Sequence, residues 1–178
     1  MCIQAIFFSV IIGYILKGRL KNFEYIELKG LCFVAVTFFL QAAVILLIRK
    51  GLLQNTILVY VLHLIMYIML FYFIYLNKKE KPLIFMGIGF LLNAIPILLN
   101  GGTMPVDMET VRSIGINVDI TQRGMYNAVN SKTILWFLGD IIPKRFITNE
   151  VISIGDIVIT LSLAFFIVKS MKKSSCHH

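Results

Sequence analysis

Charge is what this sequence has least of. Charged residues fill 15% of its 178 positions, where a soluble domain carries about a quarter. Acids are the scarcer sign, with nine against 17 Lys and Arg. Hydrophobic residues reach 58%, and mean hydropathy is +0.86. The length suits one domain. One soluble globule of that size cannot hide so much apolar surface, so the solvent for most of the chain is lipid.

Cysteine is also sparse. Cys2, Cys32 and Cys176 give neither a disulfide framework nor a zinc spacing. Cys32 sits in an apolar run and reads as a small core residue. Cys176-His177-His178 follow Lys172-Lys173-Ser174-Ser175 and read as part of a disordered basic tail, 171–178, in preference to a metal site. No metal or cofactor is expected. Nothing interleaves aromatic and basic side chains as a base-stacking surface does, so the excess positive charge does not point to nucleic acid.

What is present is a series of apolar segments, at about 2–16, 31–48, 57–76, 82–99 and 153–168. Together they predict an all-α integral-membrane bundle of about five spans. The first is short for a span. It is not read as a signal peptide, because no basic residue precedes it, and Lys17, Arg19 and Lys21 follow it. One long loop, 100–152, separates the fourth and fifth segments. Its apolar patch Ile134-Leu135-Trp136-Phe137-Leu138 is too short to cross and predicts a re-entrant or interfacial piece within 130–142.

Lys and Arg are biased to one side of the spans. Loop 17–29 holds four, loop 77–81 three, and the stretch from Lys169 onward three. The other side holds seven, spread over many more residues: Arg49, Lys50, Arg112, Arg123, Lys132, Lys144 and Arg145. The short-loop bias predicts a multi-pass plasma-membrane protein with its N-terminus outside, its C-terminus cytoplasmic and the long loop extracytoplasmic. Anionic lipid headgroups are the expected partner of the basic cytoplasmic face.

Few polar residues lie in the spans. Gln41, His63 and Asn93 fall in their outer parts, and Asn93, Pro96 and Asn100 share one helical face. Each amide or imidazole can serve as interhelical packing glue. Their common depth also predicts a polar pocket toward the long loop, completed by Asn100, Gly101 and Gly102. His63 is a possible general base but more often such a residue only packs. The two glycines fit a helix stop of the Schellman kind or a backbone cradle.

A Gly-Asp-Ile-aliphatic element occurs twice, as Gly139-Asp140-Ile141-Ile142 and Gly155-Asp156-Ile157-Val158. Two readings stay open. Ser153 and Asp156 have the spacing of a capping box, and Gly139-Asp140 suits a turn before Pro143. Alternatively the two aspartates form a dyad, in which one carboxyl keeps its proton and the other acts as a base toward water.

Several of these stretches carry a resemblance. G-R-L-K-N at 18–22, Gln41, L-N-A-I-P-I-L-L-N-G-G-T-M-P-V at 92–106, L-G-D-I-I-P at 138–143 and S-I-G-D-I-V-I at 153–159 together resemble a group of bacterial multi-pass membrane proteins known as a domain of unknown function. That resemblance implies a shared fold and no established activity. The chain is also similar, more distantly, to lipoprotein signal peptidases, small helical membrane enzymes with two catalytic aspartates near the outer face. There the last span opens with Asn-x-Ala-Asp; here it is Ser153-Ile154-Gly155-Asp156. Those enzymes have four spans, not five. The resemblance implies Asp140 and Asp156 as catalytic residues and a membrane-associated substrate. The alternatives are a non-enzymatic lipid- or solute-binding protein, a small transporter, or an accessory subunit. An internal repeat would favour a transporter, and beyond the doubled Gly-Asp none is visible.

Overall fold

The structure is a computed structural model that describes residues 2–53, 56–116 and 125–173. Four helices are long and apolar enough to cross a bilayer: α2 (Leu31–Arg49), α3 (Thr56–Leu76), α4 (Lys81–Leu99) and α6 (Ile154–Lys172). Helix α1 (Cys2–Ile15) is apolar but has only 14 residues, about 21 Å at 1.5 Å per residue. Helix is what such sequences must form in lipid, where each backbone N–H and C=O has to find its partner within the segment.

The helix ends are closed locally. After α1, Lys17 takes φ +61°, and the Lys17 and Gly18 N–H groups donate to Tyr14 and Gly13 carbonyls. After α2, Gly51 and Leu52 make the same pair of bonds to Ile48 and Leu47. These are Schellman closures, which satisfy carbonyls the helix leaves free. Pro82 lies in the first turn of α4, where a missing N–H costs nothing.

The helices pack in a row. α1 lies on α6, α6 on α4, α4 on α3, and α3 on α2. The 3-10 turn at Leu20–Tyr25 also packs on α6. One core cluster holds Phe73 and Ile74 of α3, Leu83 and Met86 of α4, and Phe166 of α6. The Asn77 amide sits beside it, exchanging hydrogen bonds of 2.9 and 2.8 Å with the Lys29 backbone. A second cluster, Val44, Leu53 and Val59, joins α2 to α3 at the opposite end of the bundle. That opposite end carries the long loop and is called the loop end below; the other is the basic end.

The long loop is where the structure departs from an all-α expectation. Among the described residues it contains four short strands and a short helix: β1 (Met104–Val106), α5 (Met108–Ser113), β2 (Tyr126–Ala128), β3 (Ile142–Lys144) and β4 (Glu150–Ile152). β1 and β2 pair in parallel, and β3 and β4 form an antiparallel hairpin. Three-residue strands carry too little periodicity to be read from sequence. The apolar patch of the loop forms a 3-10 turn at Trp136–Leu138, with Ile134, Trp136 and Phe137 exposed. α6 runs a turn beyond the expected end at 168, and Met171 is fully buried. Cys176, His177, His178, Arg123 and the Cys2 side chain lie outside the described residues.

Candidate functional site

The site begins where α4 and α6 nearly touch. A Cβ on Gly89 would lie 2.9 Å from the Gly155 carbonyl oxygen and from the Ile159 nitrogen. One turn further along α4, Asn93 faces the start of α6. Its Nδ2 donates to Asp156 Oδ1 at 2.9 Å, and its Oδ1 accepts from Ser153 Oγ at 2.7 Å. Any side chain at position 155 would collide with the Asn93 amide. Glycine before this aspartate is therefore required by the packing.

Ser153 and Asp156 form a complete capping box. The Asp156 N–H donates to Ser153 Oγ at 2.9 Å, and the Ser153 N–H donates to Asp156 Oδ2 at 3.4 Å. Ser153 is wholly buried. Each carboxylate oxygen of Asp156 thus has one donor and retains a second lone pair. Negative charge there also faces the positive end of the α6 dipole.

Asp140 arrives by a different route. Its backbone bridges to β1: the Asp140 N–H donates to the Pro105 carbonyl at 2.8 Å, and the Asp107 N–H to the Asp140 carbonyl at 3.0 Å. A Cβ on Gly139 would strike the Pro105 oxygen, so this glycine too permits a close approach. The Asp140 side chain is 8% exposed, and its Oδ1 has no hydrogen-bond partner. Burial first, and the nearby charge of Asp156 second, push the carboxyl up to about 8. A buried carboxyl without donors holds its proton because the charged form is poorly solvated.

The two Gly-Asp elements therefore bring their acids within electrostatic range of each other. The Tyr67 phenol of α3 lies within electrostatic range of both acids. Thr160, one turn after Asp156 on the same face of α6, has a buried Oγ1 without a partner. Neither Tyr67 nor Thr160 stands out in the sequence. Tyr67 is one of several aromatics in an apolar run, and its spacing of four from His63 is the one available signal.

The other sequence-selected residues are distributed around this centre. Asn100 ties the end of α4 to the loop, accepting from the Ile134 N–H at 3.0 Å and donating to its carbonyl at 2.9 Å. Gly101 has φ +72°, and the Gly102 N–H donates to the Ile97 carbonyl at 2.8 Å, a Schellman-type closure. Gly102 packs against the Tyr60 backbone. Gln41 donates to Met125 Sδ at 3.9 Å. His63 is buried, with Nδ1 at 3.1 Å from the Val59 carbonyl of its own helix. The structure thus joins Asn93 to Asp156, and sets Asn100, Gln41 and His63 on separate partners. Among the described residues no cluster of three or more His, Cys, Asp or Glu side chains could hold a metal.

No solved structure matches this chain. An uncharacterized protein of Thermotoga maritima is 30% identical over 165 residues, covering 92% of this chain and 88% of the relative. Residues 25–168, which contain Asn93, Asp140, Ser153 and Asp156, match the model of a family described as a family of unknown function, DUF5317. The chain belongs to that family, DUF5317, as a protein with four membrane-length apolar helices and a shorter apolar helix before them.

Proposed function

We propose that this is a five-span plasma-membrane protein in which Asp140 and Asp156 act as an aspartic dyad, hydrolysing an amide or ester of a membrane-associated substrate at the extracytoplasmic face. The observation that carries the chemistry is the pairing of unlike carboxyls. Asp140 is buried with an oxygen that no donor satisfies, and Asp156, whose charge reaches it, is held by Asn93 and the Ser153 N–H. Two carboxyls in such different settings separate into an acid and a base.

In this scheme the Asp156 carboxylate takes a proton from water as the water oxygen attacks the substrate carbonyl. The Asp140 carboxylic acid gives its proton to the carbonyl oxygen. As the tetrahedral intermediate collapses, Asp156 passes its proton to the leaving nitrogen or oxygen, and Asp140 recovers one from the intermediate's hydroxyl. One water is consumed, and both acids return to their starting states.

Orientation follows from charge. The basic end holds ten Lys and Arg and the acids Glu24, Glu27 and Glu80; the loop end holds seven Lys and Arg and the other six acids. Positive charge in short loops favours the cytoplasm, and the same end suits anionic headgroups. A non-enzymatic binding site for lipid or solute is the alternative, favoured because both Asp156 oxygens already make structural bonds, one to Asn93 and one within the cap.

The test compares membrane and exported proteins in cells carrying wild type, Asp140→Asn or Asp156→Asn. A hydrolase leaves an uncleaved substrate accumulating in either variant, and the double variant is little worse than each single one. Unchanged protein profiles with normally inserted variants would remove the enzymatic reading and leave the binding one.

A further inference from the structure

Between Asp140 and Ser153 the chain makes the β3–β4 hairpin, whose tip is Arg145-Phe146-Ile147-Thr148-Asn149. The polar residues of this tip, although exposed, all bond to protein. Arg145 Nη2 donates to the Ser113 carbonyl at 3.0 Å, and Asn149 Nδ2 to the Ile114 carbonyl at 2.9 Å, both at the end of α5. Thr148 Oγ1 accepts from Gln4 Nε2 of α1 at 3.1 Å. At the foot of the tip, Lys144 Nζ donates to Gln4 Oε1 at 2.7 Å and to Glu150 Oε2 at 2.8 Å. The apolar side chains have no such bonds to make and stand outward too: Phe146 is 65% exposed and Ile147 63%. A tip in water would be expected to hide these two.

Ile147 sharpens the point. It has φ +65°, a backbone state that a β-branched residue adopts only with strain. Glycine or asparagine would be the easy choice at such a position. An isoleucine held outward there needs an apolar environment to compensate.

The packing of α1 supplies that environment. α1 runs parallel to α6, and Gly13 of α1 lies against Met171 of α6. Stepping back eleven residues along each helix sets Cys2 level with about Thr160. α1 thus stops roughly six residues, about 9 Å, below the start of α6. The hairpin lies alongside α1, with Lys144 and Thr148 bonded to Gln4 and the Phe146 and Phe8 rings 6.1 Å apart. Through Phe8, Phe146 continues the exposed apolar surface of Phe7 and Phe8 on α1.

We propose that the β3–β4 tip is seated in the bilayer, with Phe146 and Ile147 inserted among the acyl chains of the loop-end leaflet beside the apolar helix α1. The hairpin is also the covalent link between Asp140 and the Ser153–Asp156 cap. Lipid seating therefore fixes the segment that holds the two acids together. This holds whether or not those acids perform chemistry.

The experiment uses the full chain in phosphatidylcholine–phosphatidylglycerol vesicles. Trp136 is the one tryptophan, so Phe146→Trp in a Trp136→Phe background gives a single reporter at the tip. Its emission should be blue-shifted, and should be quenched more by lipid brominated near the glycerol end of the acyl chains than by aqueous iodide. Ile147→Trp in the same background gives an independent reading if the first variant fails to fold. Red-shifted emission quenched by iodide would place the tip in water and overturn the proposal. Blue-shifted emission that neither quencher reaches would mean that protein, such as a second copy of the chain, covers the tip, and would overturn it equally.

Discussion

Asn93 bonds with one amide to both halves of the α6 cap, donating to Asp156 and accepting from Ser153. A mid-helix asparagine is thus the joint between α4 and the start of α6. Asn93→Leu would leave the buried Ser153 hydroxyl and the Asp156 carboxylate each short of a partner. The expected loss is about 1–3 kcal/mol, read as a lower midpoint of thermal unfolding in detergent. Asn93→Asp should be worse than Leu, because it sets a second carboxylate against Asp156.

The close crossing of α4 and α6 makes a second prediction. Gly89→Ala drives a methyl into the Gly155 carbonyl and the Ile159 nitrogen, backbone atoms that cannot rotate away. The two helices must separate, at a cost of about 1–3 kcal/mol. Gly101→Ala meets no atom within 4 Å and carries only the strain of its positive φ, so it should be the milder change in the same unfolding assay.

Asp140 predicts a pH dependence. Its folded value of about 8 lies above the ordinary 3.8. The native state therefore keeps a proton that the unfolded state has released. Stability is highest below about 4, falls as pH rises toward about 8, and levels off above it. Asp140→Asn mimics the protonated acid at every pH. Unfolding midpoints measured across this range should slope for wild type and lie nearly flat for the variant, which should be the more stable of the two near neutrality.

The capping box predicts a graded series at Ser153. Ser153→Ala removes the acceptor of the Asp156 N–H and should cost about 0.5–2 kcal/mol. Ser153→Asn keeps a capping oxygen but is too large for a wholly buried position beside Asn93, so it should not restore wild-type stability.

The helices were legible because lipid leaves a long apolar run no other structure, and their ends because glycine and charge mark them. The Ser153–Asp156 cap was legible for a similar reason: it is a local contact with a fixed spacing. The loop was not. β1 pairs with β2 across some twenty residues, and its three positions carry no period that identifies a strand. The depth of Asp140 was equally hidden, since it is set by a backbone bridge to Val106 rather than by its neighbours in sequence. Tyr67 and Thr160 look like ordinary members of apolar helices until the neighbouring helices are in place. The doubled Gly-Asp was visible at once, but its cause was not: each glycine clears room for another segment, Pro105 in one case and Asn93 in the other.

The dyad reading requires that Asp140 and Asp156 behave as one unit. An infrared titration of the Asp140 carboxyl band, assigned by its loss in Asp140→Asn, tests this directly without knowledge of a substrate. In wild-type protein in bilayers the band should persist through neutral pH and titrate near 8. In Asp156→Asn its midpoint should move down, because the neighbouring negative charge is gone. A midpoint in the ordinary carboxylate range, or one that Asp156→Asn leaves unmoved, would contradict the claim.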